Sequence, residues 1–509
     1  MGKEFTIRLL ENEYWWGGIV DDGIFMPYGY IEHSRDMTNF NGNQCSPLLI
    51  SNKGRYVWSQ ERFTYTFKGR ELQIKSDFGD VEFGSGYRNL REVYRFVSKK
   101  YFPPSGTIPD KLLFTAPQYN LWIELLYEPT QQKVLEYAQA VIENDMPPGV
   151  LMIDDNWQQY YGSWEFHPGR FPNPEEMVEK LNEMGFKVML WVCPMISPDT
   201  ATFRMLRDKG YLIKDKNGEI AIRKWWNGYS SLIDCTNPNA VQWFQSQMDN
   251  LIDRYGIDGF KLDAGDPEFY EDSDICAVPT TKNGHCEAWA KVGLKYALNE
   301  YRACWKMAGF PLVQRLKDKN HSWEGNGLAS LIPNGLAQGL MGYAFNCPDM
   351  IGGGEYLNFL ANAAQLDQEL FVRYAQCAAL FPMMQFSAAP WRVLDKQHLS
   401  YCVEAAKLHV NMGDTIVKLA EHAAKTGEPI MRHMAYVFPD GGYEKIADQF
   451  MLGDNILVAP VLKKGAVTRK VVFPEGTWLG DDGSEITGPR TVEVEVPLSR
   501  LPWYRKVKY

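Results

Sequence analysis

A chain of 509 residues is longer than one hydrophobic core usually fills, so two or three domains are expected. Hydrophobic residues make up 45% and charged residues 23%, as in an ordinary folded protein, while an aromatic share of 14% suits sugars or other flat ligands as well as large cores. The net charge of −10 and a pI near 5.5 argue against nucleic-acid and anionic-membrane partners, because both need basic surface.

The opening residues carry Lys3, Glu4 and Arg8 inside any apolar run, and Met1-Gly2 does not continue into a lipidation pattern with a basic second signal. The nine cysteines are odd in number, scattered and free of any C-x-x-C pair, so they read as reduced thiols. A cytoplasmic enzyme is the expectation. Residues 1–117 consist of short alternating runs, among them Phe5 to Leu10, Arg55 to Trp58, Phe63 to Phe67 and Glu71 to Lys75, and predict an N-terminal β-sandwich. Helical signal is scarce there until Asn89 to Val97, and prolines from Pro103 to Pro117 mark a boundary.

From 118 the pattern changes to helix and strand in alternation. Apolar residues at Val134, Leu135, Ala138, Val141 and Ile142 follow a helical period, and Val150 to Ile153 then forms a strand ending in Asp154-Asp155-Asn156-Trp157. Asn173-Pro174 starts a helix, Gly185 closes it, and Lys187 to Val192 is the next strand. Another helix begins at Asn237-Pro238 and runs to Gly256. Later strands are expected at Phe310 to Arg315, Met341 to Phe345 and Phe381 to Phe386, with a last turn through a helix to Pro429-Ile-Met-Arg432. Six or more such repeats predict an α/β chain, a (β/α)8 TIM barrel over 118–440, and the absence of Gly-x-Gly-x-x-Gly after the first strand lowers the dinucleotide-binding alternative. Beyond 440 the helical period stops, and 441–509 reads as a C-terminal all-β domain.

Within the barrel, the stretch after Gly256 alternates Phe260, Leu262 and Ala264 with Lys261 and Asp263, so an extended chain sends both charges to one side. At the carboxyl end of a barrel strand such a pair reads as chemistry; a buried Lys–Asp salt bridge is the plainer alternative. Other strand ends bring Asp154, Asp155 and Trp157, then Trp191, Asp234, Arg315 and Asp349 to the same rim. Carboxylates with tryptophan faces suit glycoside hydrolysis. Asp154-Asp155 could instead cap the following helix, and Trp191 could be core. The histidines show no paired ligand spacing and Lys261 opposes a divalent cation, so neither a metal nor any other cofactor is expected.

Four segments together carry a resemblance: Phe260-Lys-Leu-Asp-Ala-Gly265, His321-Ser-Trp-Glu-Gly-Asn326, Pro348-Asp-Met-Ile-Gly-Gly353, and Gly427 to Arg432 followed by Gln449 to Pro460. The chain resembles glycoside hydrolase family 31, whose members are retaining α-glycosidases with an N-terminal β-sandwich, a catalytic barrel and distal β-domains. The resemblance implies Asp263 as nucleophile, with an acid/base carboxylate roughly 5–5.5 Å away. It also implies an oligosaccharide or glycoside as the small-molecule partner, leaving a homo-oligomer open. The family's acid/base is the Asp of Trp-x-Gly-Asp, and here that position is Asn326, which cannot deliver a proton. Either this is an engineered variant of an active enzyme or a natural sugar-binding pseudoenzyme; the intact surroundings and near-isosteric replacement favour the first. Glu324 is a weaker substitute, since neighbouring residues point apart.

The α-glucosidase signatures of the family are missing, while Asp154-Asp155-Asn156-Trp157 with Lys261-Leu-Asp263 is similar to the Asp-Asp-Gly-Trp and Lys-x-Asp pattern of α-galactosidases. α-Galactosides are therefore the expected substrates, with α-glucoside-type specificity the alternative. Arg315 and Asp349 are expected to bind sugar hydroxyls, Trp323 to form a wall, and Trp16, in Trp15-Trp16-Gly17-Gly18, to be a lid or aglycone platform unless it packs the sandwich.

Overall fold

The computed structural model describes residues 3–507; Met1-Gly2, read above for lipidation, lie outside them. Eight parallel strands form the central sheet: β1 (Gln118–Asn120), β2 (Val150–Ile153), β3 (Lys187–Val192), β4 (Gly259–Leu262), β5 (Leu298–Tyr301), β6 (Gln314–Arg315), β7 (Asn346–Cys347) and β8 (Gln385–Phe386). Their spatial order is β7-β6-β5-β4-β3-β2-β1-β8. Ile351 N–H donates to the Gln385 carbonyl at 2.9 Å and ties the two ends together, giving a nearly closed TIM-like barrel. Strand β2 is wholly buried Val-Leu-Met-Ile, as parallel strands covered on both faces require.

The helices follow their local signals. Asn237 accepts a hydrogen bond from Asn239 N–H at the start of the helix Pro238–Tyr255, and Gly256, at φ 71°, ends it in the left-handed conformation that glycine adopts without strain. That turn delivers the chain into β4.

Three expected strands are shortened or displaced, and of 381–386 only Gln385–Phe386 pairs. Of 310–315 only Gln314–Arg315 pairs, and 341–345 follows the helix Leu331–Leu340 as a turn, the strand being Asn346–Cys347. Gly342, at φ 88° and packed against Phe102, explains the turn. Met431–Arg432 pairs with Phe450–Leu452 in the six-stranded C-terminal sheet rather than with the barrel.

N-terminal to the barrel lie a four-stranded sheet and a second sheet containing Gln44–Ser51. The second sheet reaches into the barrel, because Cys304–Trp305, just after β5, pairs with Gln44–Cys45. Gln44 Nε2 also donates to the carbonyls of Arg302 (2.7 Å) and Arg315 (2.9 Å). Trp16 sits on the strand Trp15–Ile19, is buried, and packs edge-on against His433. It is part of the domain interface and not a lid.

Candidate active site

A cavity of about 230 Å³ opens at the carboxyl ends of the barrel strands. Asp154, Asp155, Trp191, Lys261, Asp263 and Arg315 from the strand ends line it, together with Trp122, Tyr127, Trp226, Arg302, Asp318, Met350, Glu355 and Tyr356 from the loops.

Asp263 is the centre of its charge network. Trp191 Nε1 donates to its Oδ2 at 2.6 Å, Lys261 Nζ lies 3.8 Å from the same oxygen, and Arg302 Nε is 3.9 Å from Oδ1. Burial alone would push this carboxyl up, but Lys261, then Arg302 and Arg315, outweigh it and hold the group down at about 2. Asp263 is therefore an anion throughout the physiological range. The chain turns sharply behind it: Ala264 has φ 55° and Gly265 φ 74°, and a Cβ on Gly265 would meet the Trp289 ring at 2.2 Å. Lys261 Nζ also donates to Asp154 Oδ2 at 2.7 Å, so one ammonium serves both carboxylates. The salt-bridge reading of this strand and the catalytic one are thus the same cluster.

Asp155 has a different environment. Tyr161 donates to it at 3.0 Å and Asn227 at 2.7 Å, yet burial and then the neighbouring charge of Asp154 push its carboxyl up to about 7. Its folded value exceeds the ordinary 3.8, so the folded state binds the proton more tightly. Its contribution to stability is therefore present at acid pH and declines as pH rises from about 4 to about 7. Asp155→Asn is expected to remove that slope: its melting temperature relative to the parent should climb across the window, and a pH-independent difference would refute the assignment.

Arg315 is buried and forks among acids. Its Nη1 donates to Asp349 (2.7 Å) and Asp318 (2.9 Å), and its Nε to Glu300 (3.2 Å). The aromatic wall is built by Trp122, Tyr127 and Tyr356, with Tyr356 edge-on to Trp122 at 5.4 Å. Trp226, on a hairpin inserted between β3 and β4, lies under the Arg302 guanidinium at 5.1 Å and closes the opposite side.

The remaining expected residues stand elsewhere. Trp157 is buried, donating to the Trp191 carbonyl at 2.8 Å, and supports the site from behind. Asp349 is buried beneath the cavity, where it accepts from Arg315, Lys319 N–H and Gly354 N–H. Trp323 faces Asp367 at 3.0 Å rather than forming a cavity wall. Asn326 is also outside the lining: its Nδ2 donates to the Asp318 carbonyl at 2.9 Å and its Oδ1 accepts from Lys319 Nζ at 3.2 Å. Asp234, also on the predicted rim, turns away to hold Thr236 and Ala277. The signal for Arg302 and Asp318 was available in part, since one directly follows β5 and the other lies three residues beyond Arg315.

The family model for the glycosyl hydrolases family 31 TIM-barrel domain matches residues 113–416, more than half of the chain, and the model for the family's C-terminal domain matches 427–508. The chain belongs to glycoside hydrolase family 31. It is 30% identical over 402 residues to the myogenesis-regulating glycosidase of Mus musculus, covering 77% of this chain and 56% of that protein. The α-xylosidase XylQ of Lactiplantibacillus pentosus is 27% identical over 485 residues, covering 88% and 60%. This family 31 chain thus spans less than two thirds of these relatives' length. A family 31 α-xylosidase from a soil metagenome, complexed with xylose, superposes with a TM-score of 0.86 at 20% identity, over 99% of this chain and 79% of that one. The Flavobacterium johnsoniae dextranase complexed with glucose also gives 0.86 at 20% identity, over 99% and 66%. At that identity the superpositions establish the fold.

Proposed function

We propose that this family 31 protein is a retaining α-glycosidase in which Asp263 attacks the anomeric carbon of a terminal sugar, and that the sugar is an α-galactoside. The observation carrying the proposal is Asp263 itself: an anionic carboxylate at the end of β4, facing a cavity and clamped by Trp191 and Lys261. The cavity is smaller than the roughly 300–1,000 Å³ usual for drug-sized ligands, which suits one terminal ring rather than an internal stretch of polymer. Asp154 and Asp155 supply hydrogen-bonding partners of two kinds for sugar hydroxyls, one held by the Lys261 ammonium and the other, raised by burial, able to donate or accept. A site that hydrogen-bonds each hydroxyl rejects the wrong epimer, because the mismatch leaves buried polar groups unpaired.

Asn326, where the family motif has its proton donor, lies outside the cavity lining and so does not stand where a leaving group would need a proton. Its amide meets one donor, Lys319, and one acceptor, the Asp318 carbonyl, a match that an aspartate would lose. This fit supports asparagine as the resident residue and favours a second reading, a sugar-binding relative without turnover. A panel of α-galactosyl, α-glucosyl and α-xylosyl fluorides separates the readings. The galactosyl compound is expected to be hydrolysed about a hundredfold faster than the others or more. A preference for glucose or xylose refutes the sugar assignment. No hydrolysis of any fluoride, with galactose still binding by calorimetry, establishes the binding protein.

A further inference from the structure

Asp318 is a second carboxylate of the cavity that shares the Arg302 guanidinium with Asp263. Its side chain is 31% exposed and lines the cavity, whereas Asn326 does not. Oδ1 accepts from Arg315 at 2.9 Å; Oδ2 lies 4.0 Å from Arg302 Nη1 and has no hydrogen bond among the described residues. The same guanidinium approaches Asp263 through Nε at 3.9 Å, so one rigid planar group spans the gap between the two carboxylates. The other acids of the cavity are engaged: Asp154 by Lys261, Asp155 by Tyr161 and Asn227, and Glu355 by the N–H of Asn358, whose helix it caps.

We infer that Asp318, in place of position 326, is the catalytic carboxylate facing Asp263 across the sugar, and that it acts in the deglycosylation step. The inference rests on the reading of Asp263 as nucleophile. In that step a water oxygen bonds to the anomeric carbon while Asp318 Oδ2 takes the water's proton. The ester bond between that carbon and Asp263 breaks, its electron pair returns to the Asp263 carboxylate, and Asp318 then loses the proton to solvent. Arg302 and Arg315 are positioning residues that aim the acceptor.

Azide tests this, since a small anion replaces water without needing a base. With α-galactosyl fluoride, or whichever glycosyl fluoride the panel ranks first, Asp318→Ala is expected to lose about 10²–10⁴-fold in turnover. Sodium azide should restore at least about tenfold of that loss and yield the α-glycosyl azide, a product that a merely structural role would not give. Asn326→Ala should give no azide adduct. Asp318→Asn, which keeps the volume, should lose turnover at an unchanged melting temperature and serves if the alanine variant does not fold. In the parent, a 5-fluoroglycosyl fluoride should label Asp263, read by peptide mass. Labelling of Asp263 without azide rescue of Asp318→Ala, or azide adducts from Asn326→Ala, overturns the role of Asp318 alone; failure to label overturns the nucleophile assignment and this inference with it.

Discussion

Asp263→Asn is expected to lower kcat/KM for a reactive α-glycosyl fluoride by about ten-thousandfold or more. The replacement keeps shape and volume but removes the charge and the lone pairs that attack carbon. In either orientation its amide nitrogen would face a donor, Trp191 Nε1 where Oδ2 now accepts at 2.6 Å or Ala264 N–H where Oδ1 now accepts at 2.9 Å. The fold has little reason to fail, because Lys261 keeps its 2.7 Å bond to Asp154 and so is not left as an unpaired buried charge. The measurement is initial rate beside a melting curve. A rate loss under about tenfold with an intact fold would mean that another group forms the bond to the sugar.

The largest effect on stability is expected from Arg315→Met. Arg315, Glu300 and Asp349 are all buried, and the arginine contacts both acids directly. Removing it strands two carboxylates in the barrel core, which costs about 3–5 kcal/mol. Arg315→Lys should recover part of this, since an ammonium supplies charge without the planar fork. The pH dependence follows from the acids left behind. Asp349 is already raised to about 6, by burial against the opposing pull of Arg315, and losing Arg315 raises it further. A folded state that binds protons more tightly than the unfolded one is weakened as pH rises, so the destabilisation should be smaller at about pH 5 than at about pH 8. Denaturant melts at the two pH values check it; equal deficits would show that the buried acids are compensated elsewhere.

The strand-borne half of the site was readable from the chain. Lys261, Asp263, Asp154, Asp155, Trp191 and Arg315 interrupt or end apolar runs, and a period of two tells which side a charge must take. The loop-borne half carries no period. Trp122, Tyr127 and Tyr356 meet only because the connections after β1 and β7 converge, and Trp226 belongs to a hairpin whose place depends on packing against Arg302. Strand β5 carries no alternating pattern, because Leu298-Asn299-Glu300-Tyr301 mixes polar and apolar residues that are all buried, with Glu300 satisfied by Arg315 and by Gln385 at 2.5 Å. Without that pattern nothing in the chain marks Arg302 as a strand-end residue. Asp349 and Trp323 were expected at the sugar because residue type alone does not say whether a neighbouring loop covers it. The motif likewise located Asn326, but only the loop's course puts Asp318 at the cavity.

Gln44 gives the N-terminal sheets a part in the chemistry that their sequence does not advertise. A single amide on a neutral residue, distant in the chain, grips the main chain beneath both arginines of the cavity. The barrel's site therefore has a foundation outside the barrel. A change at Gln44 would therefore reach the strand ends that carry Arg302 and Arg315 from a part of the chain that contributes no residue to the cavity lining.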